Sequence, residues 1–123
     1  MKKDLRPQIY ILDDDPEFCD SLKVLVETRG YQVVSYTSAK AFLQSLRSKP
    51  KGCLLLDLQM PEMSGVEVLR ALNARAISLP TIVITGTAST SLKAEALQKG
   101  ALMVLEKPLE KKRLFDALEL ALG

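Results

Sequence analysis

Four apolar runs in this sequence each end on a side chain that can handle charge or a proton. Asp13, Asp14 and Asp15 stand directly behind "IYIL" (9–12), Asp57 closes "CLLLD" (53–57), Thr85 closes "TIVIT" (81–85), and Lys107 follows "ALMVLE" (101–106). Asp15 has an ordinary use, because a carboxylate before Pro16 can cap a helix whose first-turn proline lacks only an N–H that no intrahelical acceptor would receive. Asp13 and Asp14 exceed what that helix start requires. Turn chemistry would account for Asp14 or Thr85 taken singly, and a lone lysine before a proline carries no information. If the four runs are strands of one parallel sheet, however, three carboxylates, a hydroxyl and an ammonium reach a single rim. Clustered carboxylates repel, and a hard dication offsets that repulsion: Mg²⁺ takes oxygen ligands at about 2.0–2.1 Å and keeps waters beside one or two carboxylates. Lys107 would add a mobile point charge suited to a carboxylate or phosphoryl oxygen, and Thr85 a hydroxyl donor. Together these groups make a phosphoryl-transfer site with a carboxylate nucleophile. No "GxxxxGK" loop is present to cradle a nucleotide, and histidine is absent from the chain, which excludes an internal imidazole base, metal ligand or phosphoacceptor.

The elements that must position these residues follow from the punctuation. "IYIL" predicts a first strand, and a helix runs from Pro16, with Phe18, Leu22, Leu25 and Val26 at helical spacing, to Gly30. "YQVVSY" (31–36) predicts a second strand. Ser38 caps a helix whose Ala39, Phe42, Leu43 and Leu46 share a face, with Pro50 and Gly52 closing the segment. "CLLLD" is apolar without alternation, as expected of a central parallel strand covered on both faces. After "QMPEMSG", Ser64 caps a helix with Val66, Leu69 and Leu72 inward. "TIVIT", a helix ended by Gly100, "ALMVLE" and a last helix after Pro108 carrying Leu109, Leu114, Leu118 and Leu122 complete the series. Five strands alternating with five helices predict an α/β, doubly wound parallel sheet of order 2-1-3-4-5, flavodoxin-like, with its crevice at the carboxyl ends of the strands.

The bulk composition narrows the function classes. At 123 residues the chain is expected to be one domain, 1–123, and 47% apolar with 26% charged residues is too apolar for disorder. A formal charge of +2, from 17 basic and 15 acidic residues, gives no case for a polyanion partner. The short basic groups Lys2-Lys3 and Lys111-Lys112-Arg113 read as solvated ends and helix faces, so no direct nucleic-acid binding is expected. No run approaches the roughly 20 apolar residues that span a bilayer, and "MKKDLRPQ" leads into only four apolar residues, so no membrane association and a cytoplasmic location are expected. Cys19 and Cys53 are too far apart for a metal or redox motif and read as small buried hydrophobes.

In these residues and their spacing the sequence resembles a receiver domain of two-component response regulators, the CheY-like superfamily, from Ile9 to about Leu120. The matching pieces are "YILDDD", "LLLDLQMPEMSG", "TIVITG" and "GALMVLEKPL". The resemblance implies that Asp57 is the phosphoacceptor, that Asp13, Asp14, Asp57 and the Gln59 backbone carbonyl hold Mg²⁺, that Thr85 is the switch hydroxyl and that Lys107 is the cation of the site. It also implies a cis Lys107-Pro108 bond and a sensor histidine kinase as partner. Self-phosphorylation from small donors and self-dephosphorylation would replace any conventional metabolic activity. The wording "DLQMPEMSGVEVLR", "VITGTA" and "EKP" is most similar to receivers of the nitrogen-fixation and LuxR-type transcriptional branch, so the expected output is control of transcription. That output would pass through a homodimer or output domain sensing the fourth helix, fifth strand and fifth helix; no output segment is read in this chain.

One residue departs from the family pattern. Receivers usually carry Tyr or Phe three residues before the lysine, where this chain has Val104. Val104 as a plain core residue shifts the expected readout to backbone movement near Thr85 and residues 86–91. It also favours an alternative, a receiver-fold module that binds partners without phosphorylation. A third reading, a flavodoxin-like cofactor carrier, places Asp13 to Asp15 where an FMN phosphate would be repelled.

Overall fold

Consecutive apolar residues become strands wherever helices can cover both faces. The computed structural model describes residues 7–86 and 89–123. In chain order the elements are β1 (Gln8–Leu12), α1 (Pro16–Glu27), β2 (Gln32–Tyr36), α2 (Ala39–Ser45), β3 (Gly52–Asp57), α3 (Gly65–Ala74), β4 (Thr81–Thr85), α4 (Thr90–Gln98), β5 (Met103–Glu106) and α5 (Lys111–Leu122). The five strands form one parallel sheet of order β2-β1-β3-β4-β5, the expected topology.

Alternation along the strands divides the core in two. Ile9, Ile11, Cys53, Leu55, Ile82 and Ile84 pack with α1 and α5, whereas Leu12, Leu54, Leu56 and Val83 pack with α2, α3 and α4. β3 is enclosed on both sides, its residues Cys53 to Leu56 having no more than 1% exposure. Burying each such leucine stabilises the fold by roughly 1.5–3 kcal/mol, so β3 is a rigid stem for the carboxylate at its end. Both cysteines are buried free thiols, and burial raises their pKa values to about 11 for Cys19 and about 12 for Cys53.

Gly52 sets the opposite end of β3. Its φ of +135° is closed to most side chains, and a Cβ there would sit 1.7 Å from the Gln8 carbonyl oxygen. The sequence marks Gly52 as a segment end; the structure makes it the first residue of the strand.

Several boundaries differ from expectation, β1 and β2 beginning at Gln8 and Gln32 instead of Ile9 and Tyr31. Leu46 leaves the α2 helix with extended backbone, yet still packs against the core. Leu109 precedes α5, which begins at Lys111 behind Glu110, and reaches the α1/α5 core from the connecting loop. Ala101 and Leu102 lie before β5, whose first residue is Met103. Among the described residues, no helix is long and apolar enough to cross a membrane. Residues 87 and 88 of the expected 86–91 readout loop, and the Lys2-Lys3 pair, lie outside the described residues.

Candidate functional site at the carboxyl edge of the sheet

Strand register brings the chemistry-bearing residues to one edge. Leu12 is level with Tyr36 and Leu56, Asp57 with Ile84, and Thr85 with Glu106. Asp13 and Lys107 are the next residues beyond their strands, so the ends of β1, β3, β4 and β5 present Asp13, Asp57, Thr85 and Lys107 together.

The β1–α1 turn is held by its own polar groups. The Asp13 N–H donates to the Tyr36 carbonyl at 3.1 Å, extending the ladder past the strand. Asp13 Oδ1 accepts the Asp15 N–H at 2.9 Å, and the Cys19 thiol donates to the Asp13 carbonyl at 3.2 Å. Asp15 is the helix cap its sequence context predicts: its Oδ1 accepts from the N–H groups of Glu17 and Phe18 at 3.0 and 3.4 Å. That assignment leaves Asp14 exposed at the rim and Asp13 buried, 3% exposed, beside Asp57.

Asp57 is 6% exposed. Its Oδ1 accepts the Gln59 N–H at 3.4 Å, while the Gln59 residue as a whole faces solvent. The loop after Asp57 returns closely on itself: the Gly65 N–H donates to the Leu58 carbonyl at 2.9 Å, and a Cβ on Gly65 would lie 2.6 Å from the Asp57 carbonyl oxygen. Glycine at 65 therefore lets α3 start directly against the Asp57 backbone, with Ser64 capping it through the Glu67 N–H. Thr85 is fully buried, and its carbonyl accepts the Lys107 N–H at 2.9 Å, tying the end of β4 to the lysine. The Lys107-Pro108 peptide bond is cis, as the resemblance implies. The Lys107 ammonium lies 3.1 Å from Asp13 Oδ2 and 4.1 Å from the centroid of the Phe18 ring.

The charges are unequally balanced. Burial is the main reason the Asp57 pKa rises from 3.8 to about 6; Asp13 adds to the rise and Asp14 adds a smaller part, against the lowering effect of Lys107 and the Gln59 N–H. One ammonium thus incompletely offsets three carboxylates. Asp13, Asp14 and Asp57 each offer an oxygen, and those atoms lie within 4.8 Å of one another. An all-oxygen acidic set, with neither imidazole nor thiolate in it, fits a hard divalent cation such as Mg²⁺ and not a soft transition metal.

The structure therefore brings together Asp13, Asp14, Asp57 and Lys107, with Thr85 at the same edge and Gln59 joined to Asp57 through its N–H. Sequence reasoning reads Phe18 as core and Gly65 as part of a turn. Their placement against the site depends on the ring reaching across from α1 and on the tight return after β3, and neither leaves a periodic signal.

Comparison with known proteins gives a consistent result. The model of the response regulator receiver domain matches residues 9–119. The transcriptional regulatory protein FixJ of Azorhizobium caulinodans is 38% identical over 115 residues, covering 94% of this chain and 54% of that protein. The response regulator protein TodT of Pseudomonas putida is 38% identical over 114 residues, covering 93% of this chain and 50% of that one. Among solved structures, FixJ-N superposes with a TM-score of 0.85 at 37% identity, covering 98% of this chain and 94% of that one. The response regulator StyR gives a TM-score of 0.89 at 34% identity, covering 95% of this chain and 59% of that one. The chain spans about half the length of the FixJ and TodT relatives it matches.

Proposed function

The chain belongs to the response regulator receiver domain family, and from that premise we propose that it is a phosphorylation-controlled switch whose Asp57 accepts a phosphoryl group from the phosphohistidine of a sensor kinase. The observation that carries the reading is the convergence of Asp57 with Asp13, Asp14 and Lys107 at the edge that also holds Thr85. The 123 residues act as a single receiver domain, working in the cytoplasm and controlling transcription, as the names of its relatives suggest for their own output.

Asp13, Asp14, Asp57 and the Gln59 carbonyl would hold Mg²⁺, which when bound supplies positive charge to the carboxylates and the incoming phosphoryl oxygens. An Asp57 carboxylate oxygen attacks phosphorus in line, a P–O bond forms, and the electron pair of the broken P–N bond remains on the donor imidazole. The rigid β3 stem fixes the nucleophile. Lys107 then exchanges its Asp13 oxygen for a phosphoryl oxygen, and the Thr85 hydroxyl donates to another. The added group carries about −1.5 to −2 charge and three acceptor oxygens, which draws the ends of β4 and β5 together. Signal leaves through α4, β5 and α5, whose surface includes exposed Leu97 and Leu120 and the Lys93–Glu106 ion pair between α4 and β5. A second copy or an output domain reads that surface.

Half-buried Val104, packed toward the α3/α4 side of the sheet, favours one second reading, a partner-binding module that needs no phosphorylation. Intact-mass measurement after incubation with a small acyl phosphate and Mg²⁺ separates the two. One added phosphoryl group, removed by hydroxylamine and absent from Asp57→Asn, supports the switch; an unchanged mass supports the binding module.

A further inference from the structure

We propose that Phe18 is a positioning residue for the Lys107 ammonium, giving it a sliding contact as it passes from Asp13 to the phosphoryl group. The inference rests on the phosphoacceptor reading and adds to it a residue outside the acidic, hydroxyl and lysine set.

Lysine is a compact charge on a flexible stem, and the Lys107 side chain is 28% exposed. It has two close partners of different kinds, Asp13 Oδ2 at 3.1 Å and the Phe18 ring at 4.1 Å. The first must be surrendered when the ammonium moves to a phosphoryl oxygen. The second need not be, because attraction to the face of an aromatic ring varies gradually with position, whereas a hydrogen bond weakens steeply off its axis. The ring can therefore hold the ammonium near the site through the exchange.

The loop that carries Asp13 also fixes Phe18. Asp15 accepts the Phe18 N–H and donates its own N–H to Asp13 Oδ1, while the neighbouring Cys19 thiol bonds the Asp13 carbonyl. Asp13, Asp15, Phe18 and Lys107 thus form a closed ring of contacts, so the separation between the two partners of Lys107 is set by one short turn. Phe18 is only half-buried at the margin of the α1/α5 core, so an aliphatic replacement leaves most of the packing in place.

The test compares phosphorylation rates from acetyl phosphate with saturating Mg²⁺ for the wild type, Phe18→Leu, Phe18→Met, Phe18→Tyr and Phe18→Trp. The aliphatic variants should react about fivefold more slowly, the rate equivalent of ~1 kcal/mol of attraction that the ammonium gains over the ring as it releases the Asp13 carboxylate, and at least one aromatic variant should react within about twofold of wild type. In the metal-free protein, the Lys107 Cε proton resonances should lie upfield under the ring current and return downfield in Phe18→Leu. Aliphatic variants that react as fast as wild type, aromatic variants as slow as Phe18→Leu, or unshifted Cε resonances would overturn the positioning role alone. A wild-type protein that takes no phosphoryl group would overturn the phosphoacceptor reading, and the positioning role with it.

Discussion

Asp57→Asn is expected to make the metal-free protein more stable at neutral pH. The asparagine keeps the shape of the side chain and an oxygen for the Gln59 N–H, but removes a charge that sits 6% exposed beside Asp13. The carboxyl titrates at about 6 in the folded protein against an ordinary value of 3.8. Between those values the folded state binds more protons than the unfolded state, so stability falls as pH rises through that window. At about 1.36 kcal/mol for each pH unit, the ionised Asp57 costs up to about 3 kcal/mol above pH 6 and nothing below about pH 4. For a domain of this size that corresponds to a rise of about 10 °C in Tm for the variant at pH 7 in chelator. Urea denaturation of wild type and variant at pH 4 and pH 7 measures the difference directly. The two proteins should converge at the lower pH, and saturating Mg²⁺ should remove the variant's advantage at the higher one. A variant no more stable than wild type at pH 7 in chelator, or equally favoured at both pH values, would refute the argument that charge at Asp57 is the cause.

Other expectations concern the metal, the loop and the readout. Asp14→Asn should weaken Mg²⁺ binding by at least about tenfold, a loss seen even for groups that merely support ligands, and isothermal calorimetry with unchanged affinity would remove Asp14 from the site. Gly65→Ala places a Cβ 2.6 Å from the Asp57 carbonyl; it should destabilise the fold by about 1–3 kcal/mol and slow phosphorylation, and an unaffected urea midpoint would show that α3 yields freely. Binding of beryllium fluoride, a phosphoryl mimic, should shift backbone NMR resonances of Lys93, Val104 and Glu106 as well as those near Asp57, whereas shifts confined to the Asp14 and Asp57 loops would show a signal that does not reach the α4–β5 surface.

Most of the fold was legible because its determinants are local. Continuous apolar runs specify β3 and β4 as enclosed strands, and Asp15, Ser38 and Ser64 cap helices where their side chains can reach free N–H groups. Strict alternation of strand and helix then leaves few arrangements other than the observed parallel order. The carboxyl-edge rule alone brings Asp13, Asp14, Asp57 and Lys107 to one place. What escaped depends on contacts between distant segments. Leu109 has a core residue's character but serves from a loop, and Leu46 packs inward after its helix has ended. The Phe18–Lys107 contact joins residues that only the sheet order brings together, and the close approach at Gly65 is a property of backbone space that no side-chain pattern encodes.

The switch proposed for this chain depends on Asp57 forming the acyl phosphate. After reaction with acetyl phosphate and Mg²⁺, borohydride reduction of the adduct followed by peptide mass spectrometry locates the modified side chain. Reduction is expected at position 57 alone, with none in protein treated with hydroxylamine first; a reduced residue at Asp13 or Asp14, or no reduced residue in a correctly folded protein, would contradict phosphorylation of Asp57.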